Sequence, residues 1–287
     1  MNKSYPRLLV IFGVGSISTA AILVLYSDAA PIYNAFFRMF FSALILLPFT
    51  IKSFKDLKHI SPKYFFLMIL SGIALGLHFF TWFISLEHTS IANSMVLICM
   101  SPIFTISGSA LFFGASFSPK ELMITFVAIV GSVIMAFHNG QFIIGEMYGN
   151  AMALLGAFLI AVYLLIGRYV RQSITTTLYT FIVYGFAALS LGLIALFNTP
   201  NFTHHSGKDW GIFILLAIVP TLLGHSLFSY ALKYVKASFI STSILFEPVL
   251  TILLAMVLFK EYPDIIQLLG GSLILIAMTV ATLQEET

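Results

Sequence analysis

The sequence carries very little charge. Asp, Glu, Lys and Arg make up 9% of its 287 residues, whereas 60% of the residues are hydrophobic. A soluble domain has about 25% charged residues, so this chain has too little polar surface to cover a water-soluble globule. We therefore expect a lipid bilayer to surround most of it. The formal net charge of +3 is too small and too scattered for the basic surface that nucleic-acid binding requires.

The chain also lacks the residues of several common kinds of site. Its single cysteine, Cys99, excludes an intramolecular disulfide bond. The GxSxG and HExxH motifs are absent, and so is a GxxxxGK[ST] phosphate loop. The aspartates fall in links or at the ends of apolar stretches, which leaves no intramembrane aspartate pair. We therefore expect no enzyme activity, no ATP-driven step, no metal site and no cofactor.

Long apolar stretches account for most of the sequence. A membrane-spanning helix needs about 20 apolar residues, and charges, prolines and glycines divide the chain into ten stretches of this kind. The predicted spans are 8–26, 31–51, 63–86, 90–112, 119–138, 147–168, 174–197, 210–232, 237–259 and 263–283. The fold class predicted is an all-α membrane protein with ten transmembrane helices.

Lysine and arginine predict the orientation of these spans, because cytoplasmic loops are enriched in both. With the N-terminus inside, the outer side receives only Lys208 and Lys260. The cytoplasmic side receives Lys3, Arg7, Lys52, Lys55, Lys58, Lys63, Lys120, Arg168, Arg171, Lys233 and Lys236. This bias predicts cytoplasmic N- and C-termini and a multi-pass protein of the cell (inner) membrane.

An internal repeat relates the two halves of the chain. The segment 85–115 matches the segment 231–261, which lies 146 residues further on. Identical pairs are Leu86/Leu232, Ile98/Ile244, Pro102/Pro248, Thr105/Thr251, Ile106/Ile252 and Phe113/Phe259. Five spans separate equivalent points, and since five is an odd number the copies cross the membrane in opposite directions. We therefore predict two inverted five-helix repeats, 1–140 and 141–287, an arrangement typical of transporters with a central site.

Several motifs resemble the EamA-type, ten-helix members of the drug/metabolite transporter superfamily. The segment 219–261 is similar to the family's eighth and ninth helices and contains Glu247–Pro248. The segment 36–48 resembles the second helix with its arginine, Arg38, and 85–114 resembles the link between the third and fourth helices. The family usually ends the fourth helix in Gly-Glu, whereas here Gly114 is followed by Ala115. The resemblance covers nearly the whole chain and implies a small-molecule carrier.

Polar residues inside the predicted spans are the candidate site, because an ionisable group at the bilayer centre costs about 2.5–3.5 kcal/mol. The candidates for substrate binding or coupling are Glu247, His78, His225, Arg38, Trp82, Asn93, Ser101, Ser243, Ser229 and Tyr163. Ser243, Glu247 and Thr251 are spaced four apart and therefore share one helix face. The equivalent stripe of the fourth span carries Asn93, Ser101 and Thr105.

Each candidate has a plainer alternative role. Glu247 is expected either to bind a substrate ammonium group or proton, or to tie neighbouring helices together as a neutral carboxyl. Arg38 either holds a substrate carboxylate or braces helix ends near Asp28 or Glu87. His78 and His225 either relay protons or line a cavity.

The aromatic and glycine residues allow two interpretations in the same way. Trp82 and Tyr163 either stack on a substrate or are ordinary packing residues. Gly72 and Gly76 form a GxxxG motif, which is typical of closely packed membrane helices and is also consistent with a hinge.

The favoured function is secondary transport of a small metabolite by alternating access. The resemblance implies amino acids or related compounds as substrates and export as the direction. Glu247 and the two histidines make protons a candidate coupling ion. The alternatives are a multidrug or other metabolite carrier of the same fold, an intramembrane enzyme and a passive channel. The expected partners are the lipid bilayer and the small-molecule substrate.

Overall fold

The computed structural model describes residues 4–89, 91–136, 147–198, 202, 204–260 and 262–284. Throughout these ranges the regular structure is helical, without a β-strand. Seven helical stretches are long and apolar enough to cross a bilayer, and Ser101–Phe113 and Ile265–Ala281 form shorter apolar helices. The predicted all-α class is confirmed, and these helices fit a multi-pass membrane protein. The predicted boundary between the repeats, at 140–141, lies outside the described residues.

The helices follow the predicted spans closely, although several spans are divided in two. Their bounds are α1 Ser4–Ile17, α2 Thr19–Tyr26, α3 Pro31–Thr50, α4 Pro62–His88, α5 Ile91–Ile98, α6 Ser101–Phe113, α7 Pro119–Ala136, α8 Met147–Val170, α9 Thr176–Asn198, α10 Gly207–Leu216, α11 Ser226–Ala231, α12 Ala237–Ile244, α13 Glu247–Phe259 and α14 Ile265–Gln284. A 3₁₀ segment, Ile51–His59, follows α3, and a π-helical segment, Ala217–His225, joins α10 to α11.

The predicted fourth and ninth spans are each broken at the same point of the repeat. Helix α5 ends at Ile98 and α12 at Ile244, while α6 begins at Ser101 and α13 at Glu247. The second residue of α6 is Pro102, and the second residue of α13 is Pro248. Because proline has no N–H, the carbonyl four residues earlier loses its helical partner, and each first helix closes with a tight turn. Met100 N donates to Leu97 O at 3.1 Å, and Phe246 N donates to Ser243 O at 3.0 Å.

The two broken spans also end alike. Gly114 follows α6 with φ of 61°, and Lys260 follows α13 with φ of 58°. Both residues adopt the left-handed conformation that closes a helix C-terminus. The first and last residues of α5 and α6 therefore lie 146 residues before those of α12 and α13. This is the same offset as that of the sequence repeat.

Helix α4 packs against both α8 and α9, α3 packs against α9, and α7 packs against α14. Glycines permit the contact between α4 and α9. A Cβ added at Gly72 would lie 2.5 Å from the carbonyl oxygen of Val183, and one at Gly76 would lie 3.0 Å from that of Ala187. The close packing predicted from the GxxxG motif is therefore present.

Candidate functional site

A small cavity lies where the broken helices of both halves meet. Its volume is about 30 Å³, which holds one or two water molecules and is too small for a metabolite. Its polar lining consists of Arg38, His78, Trp82, Ser101, His225 and Glu247. The sequence singled out all six, and the structure brings them together from five different helical regions.

Interruptions of the helices surround this cavity. Ile98 and Ser101 line it on either side of the α5–α6 break, and Ile244 and Glu247 do so at the α12–α13 break. Ile17 and Ala20 line it at the junction of α1 and α2, and His225 lines it at the end of the π segment. Non-helical backbone at membrane depth is tolerated where it borders protein or a cavity. The arrangement therefore places adaptable backbone around a polar centre.

Arg38 is fully buried and is held on two sides. Its Nε donates to the hydroxyl of Thr221 at 2.7 Å, and its Cζ lies 3.9 Å from the ring centroid of Phe79. The distance to the ring is that of a cation–π contact. The guanidinium group is thus fixed in orientation, while Nη1 and Nη2 have no hydrogen-bond partner among the described residues.

Pro220 explains why Thr221 is available to Arg38. Proline at this position removes the donor that would satisfy the carbonyl of Leu216 in an α-helix. The hydroxyl of Thr221 replaces that donor and bonds to Leu216 O at 2.9 Å. Its proton is thereby committed to Leu216, which leaves the oxygen as an acceptor for Arg38 Nε. Sequence reasoning left Thr221 and Phe79 out of the candidate site; the signal for Thr221 was Pro220, which stands where the first repeat has Ala74.

Glu247 is 6% exposed and lines the cavity at the N-terminus of α13. Within the described part of the chain it makes no hydrogen bond or ion pair, although it lies within electrostatic range of Arg38. A helix N-terminus favours a negative charge. Arg38 and Glu247 therefore share one cavity without touching.

The two histidines have different surroundings. His78 Nδ1 lies 2.9 Å from the carbonyl oxygen of Gly156, and because a carbonyl only accepts, Nδ1 carries the proton. His225 Nδ1 has no hydrogen-bond partner in the described ranges. Its ring stands edge-on to Phe79, with 5.1 Å between the centroids. Both rings line the cavity, as one interpretation of the sequence expected.

Tyr163 and Ser229 lie beside the cavity and support its wall. The Tyr163 hydroxyl is 2.8 Å from that of Ser229 and also lies 3.5 Å from the carbonyl oxygen of His225. Tyr163 is completely buried. These contacts favour a packing role for Tyr163 over stacking on a substrate, and they fix the end of the π segment that carries His225.

The polar stripe predicted on the ninth span does not line the cavity as a continuous row, since the break between α12 and α13 separates Ser243 from Glu247. Ser243 donates to Phe239 O within its own helix at 2.8 Å, and Thr251 donates to Ser18 O at 3.2 Å. Of the stripe on the ninth span, only Glu247 lines the cavity. On the fourth span Ser101 lines it, while the side chain of Asn93 lies outside the described residues.

The sequence offers Asp28 and Glu87 as bracing partners of Arg38. Within the described residues Arg38 contacts neither of them. Asp28 pairs instead with Lys208 at 2.5 Å, and Glu87 is exposed. A second ion pair joins Glu121 to Lys236 at 2.7 Å. Each of these two pairs joins one half of the chain to the other.

Comparison with known proteins agrees with the resemblance seen in the sequence. The model of the EamA-like transporter family matches residues 8–137 and again 147–283. The second match begins after the first ends, so the family unit occurs twice in the chain. A crystal structure with 18% sequence identity superposes with a TM-score of 0.78, covering 100% of both chains. That likeness shows the fold alone.

Relatives with descriptive names include transporters of different kinds. An uncharacterized transporter of Archaeoglobus fulgidus is 25% identical over 96% of each chain. The pseudopaline exporter CntI of Pseudomonas aeruginosa is 22% identical over 74% of this chain and 72% of its own. The S-adenosylmethionine uptake transporter of Rickettsia bellii is 33% identical, over 35% of this chain and 34% of its own.

Proposed function

The chain belongs to the EamA-like transporter family and is a multi-pass membrane transporter, and from this premise we propose that it is a secondary carrier working by alternating access. Its substrates are small metabolites of the amino-acid class or related zwitterions, and the net direction is export from the cell. The observation that supports this proposal is the buried cavity between the two halves, which is lined by Arg38 and Glu247.

The structure supports alternating access in two ways. The cavity has a volume of about 30 Å³ and its lining residues are buried, so the surrounding helices must separate before a metabolite enters. The broken spans recur at the same offset in both halves, which suits a mechanism in which two inverted repeats exchange conformations. We propose that repeats 1–140 and 141–287 do this in the inner membrane, with ten spans and both termini in the cytoplasm.

Flux measurements test the carrier directly. Purified protein in liposomes is given a panel of radiolabelled metabolites, with and without a pH gradient, and with unlabelled substrate on the opposite side. We expect saturation and counterflow, neither of which a passive channel produces. Glu247→Gln should abolish transport or its response to the pH gradient. Full transport with unchanged pH response in that variant would remove Glu247 from the mechanism.

Topology and direction are tested separately. Green fluorescent protein fused after Thr287 should fluoresce if the C-terminus is cytoplasmic. In a Cys99→Ser background, cysteine at Lys208 should react with an impermeant maleimide added to intact cells, and cysteine at Lys55 should not. Efflux from loaded cells that exceeds uptake under the same gradient supports export, and the reverse ratio overturns it.

A further inference from the structure

A large apolar groove runs along the outside of the helix bundle between α4, α6 and α8. Its volume is about 860 Å³, and α8 forms its floor because α8 packs against both of the other helices. The apolar lining includes Leu67, Leu70, Phe104, Leu111 and Phe158. Leu111 is 77% exposed and Phe158 is 47% exposed. An exposed apolar surface of this size marks contact with lipid or with another protein.

The length of the groove matches one leaflet of a membrane. On α8 the groove extends from Phe158 to Tyr169, which is a rise of about 16 Å along a helix. The hydrocarbon core of a bilayer is about 30 Å thick, and each leaflet supplies half of it. The groove therefore fits the acyl chain of a lipid in a single leaflet.

One end of the groove carries a positive charge. Lys63, in the first turn of α4, is the only charged residue among the described residues that line the groove. It is exposed, and its Nζ donates to the hydroxyl oxygen of Tyr169 at 3.1 Å. Since that oxygen accepts the bond, the O–H of Tyr169 is available to donate to a second acceptor. Two donors, one of them cationic, therefore lie side by side where the groove ends.

The charged end of the groove is cytoplasmic in the proposed topology. The start of α4 and the ends of α6 and α8 meet there. The cytoplasmic leaflet contains anionic lipids, and basic pockets between membrane helices on this side bind their headgroups. Aromatic residues are enriched at the same depth, and the rings of Tyr64 and Phe113 lie 5.6 and 6.0 Å from that of Tyr169.

A second groove, between α3 and α9, offers a comparison within the same molecule. Its volume is about 670 Å³, and Phe40, Leu44 and Leu189 are among its lining residues. None of the described residues that line it is charged. This groove can contact the hydrocarbon of any lipid, but it has no group that would select a headgroup.

We propose that the groove between α4, α6 and α8 is a binding site for an anionic phospholipid of the cytoplasmic leaflet. An acyl chain lies along the apolar walls, while the phosphate pairs with Lys63 and accepts a hydrogen bond from Tyr169. A zwitterionic headgroup binds less well because it carries its own cation, which competes with Lys63. One lysine near the membrane surface should favour the anionic lipid roughly fivefold.

Fluorescence quenching by brominated lipids tests this site. Tryptophan replaces Leu70, which lies about 10 Å from Lys63 along α4, close to the depth of bromine atoms in the middle of an acyl chain. The Leu70→Trp protein is reconstituted into phosphatidylcholine vesicles with increasing mole fractions of brominated phosphatidylglycerol or brominated phosphatidylcholine. The wild type supplies the background, since Trp82 and Trp210 are not among the lining residues. Leu189→Trp is the matched reporter in the uncharged groove.

The two reporters should respond differently. Phosphatidylglycerol should quench the Leu70→Trp protein at a roughly fivefold lower mole fraction than phosphatidylcholine does, whereas the two lipids should quench the Leu189→Trp protein equally. Adding Lys63→Gln should abolish the preference of the first reporter, and Tyr169→Phe should reduce it. Lys55→Gln, which removes an exposed lysine outside the groove, should leave the preference unchanged.

Three results would overturn the site. The first is equal quenching of the Leu70→Trp protein by the two lipids, and the second is a preference that survives Lys63→Gln. The third is quenching by neither lipid, which would mean that a second copy of the chain covers the groove.

Lipid retention provides a test that needs no reporter. Wild-type protein is purified in detergent with equal amounts of phosphatidylglycerol and phosphatidylcholine, and native mass spectra should show mainly bound phosphatidylglycerol. Ser107→Phe, at an exposed position of the lining, fills the groove and should reduce retention of both lipids. Equal retention by the wild type and Ser107→Phe would show that the lipid binds elsewhere.

Discussion

The balance of charge between Arg38 and Glu247 leads to a measurable effect on stability. Both side chains line the same cavity, and their exposed fractions are 0% and 6%. Glu247→Gln preserves the shape of the side chain but leaves Arg38 as an uncompensated buried charge. We expect this variant to be less stable than the wild type even without substrate.

The magnitude follows from the geometry. Removing one partner of a buried ion pair costs about 3–5 kcal/mol in soluble proteins. Arg38 and Glu247 do not touch, and Arg38 is also stabilised by Phe79 and Thr221, so we expect a loss at or below the lower end, about 2–3 kcal/mol. For a chain of this size that corresponds to roughly 4–12 °C in the midpoint of unfolding.

Cys99 provides the assay. It is the only cysteine of the chain and is 1% exposed, so a maleimide dye that fluoresces on reaction reports the exposure of this thiol during heating. The measurement is made at mildly alkaline pH, where a carboxyl group is ionised. The Cys99→Ser protein should give no signal and confirms the source of the fluorescence.

Three further variants make the result decisive. Arg38→Met is measured alone and combined with Glu247→Gln; the double variant removes both charges and should recover most of the lost stability, because no uncompensated charge remains. Glu121→Gln is the matched control: it removes a carboxylate whose exposed pair with Lys236 contributes less than about 1 kcal/mol. If Glu247→Gln is as stable as the wild type, or if the double variant loses the sum of the two single losses, the charges do not compensate each other.

Three other substitutions test single features of the structure. Thr221→Val removes the partners of Arg38 Nε and Leu216 O and should lower the free energy of unfolding by about 2 kcal/mol, while Thr221→Ser, measured by the same thiol assay, should retain most of the stability. Lys260→Gly should raise stability by about 1 kcal/mol, because a non-glycine residue with φ of 58° is strained; an unchanged midpoint would argue against that strain. Gly72→Ala places a Cβ 2.5 Å from Val183 O and should destabilise the protein by about 1–3 kcal/mol, whereas Gly185→Ala, which meets open space, should be near neutral.

The positions of the helices were largely predictable from the sequence, because lipid requires long apolar segments whose backbone bonds are satisfied internally. Predicted spans 31–51, 63–86, 147–168 and 174–197 agree with single helices to within a few residues. The repeat also predicted that 90–112 and 237–259 would be alike. It did not reveal that both are divided, since an isolated proline can bend a membrane helix or end it, depending on its neighbours.

The chemistry of the candidate site was predictable in type, whereas the contacts were not. Ionisable and polar residues are costly in a membrane, so Glu247, His78, His225 and Arg38 could be picked out individually. The sequence does not show which of these side chains line the same cavity. Of the predicted stripe on the ninth span only Glu247 lines the cavity, and the α12–α13 break falls between Glu247 and Ser243.

Arg38 shows most clearly what the sequence determines and what only the tertiary structure decides. The sequence alone determined that a permanent cation lies within an apolar span and that it requires a partner. Whether that partner was Asp28, Glu87 or a ligand depended on which helices pack against α3. Packing placed Phe79 and Thr221 around the guanidinium group and left its two terminal nitrogens at the cavity. Hydrophobicity along the chain thus decided what enters the membrane, whereas the contacts between distant helices decided which polar groups remain unpaired at its centre.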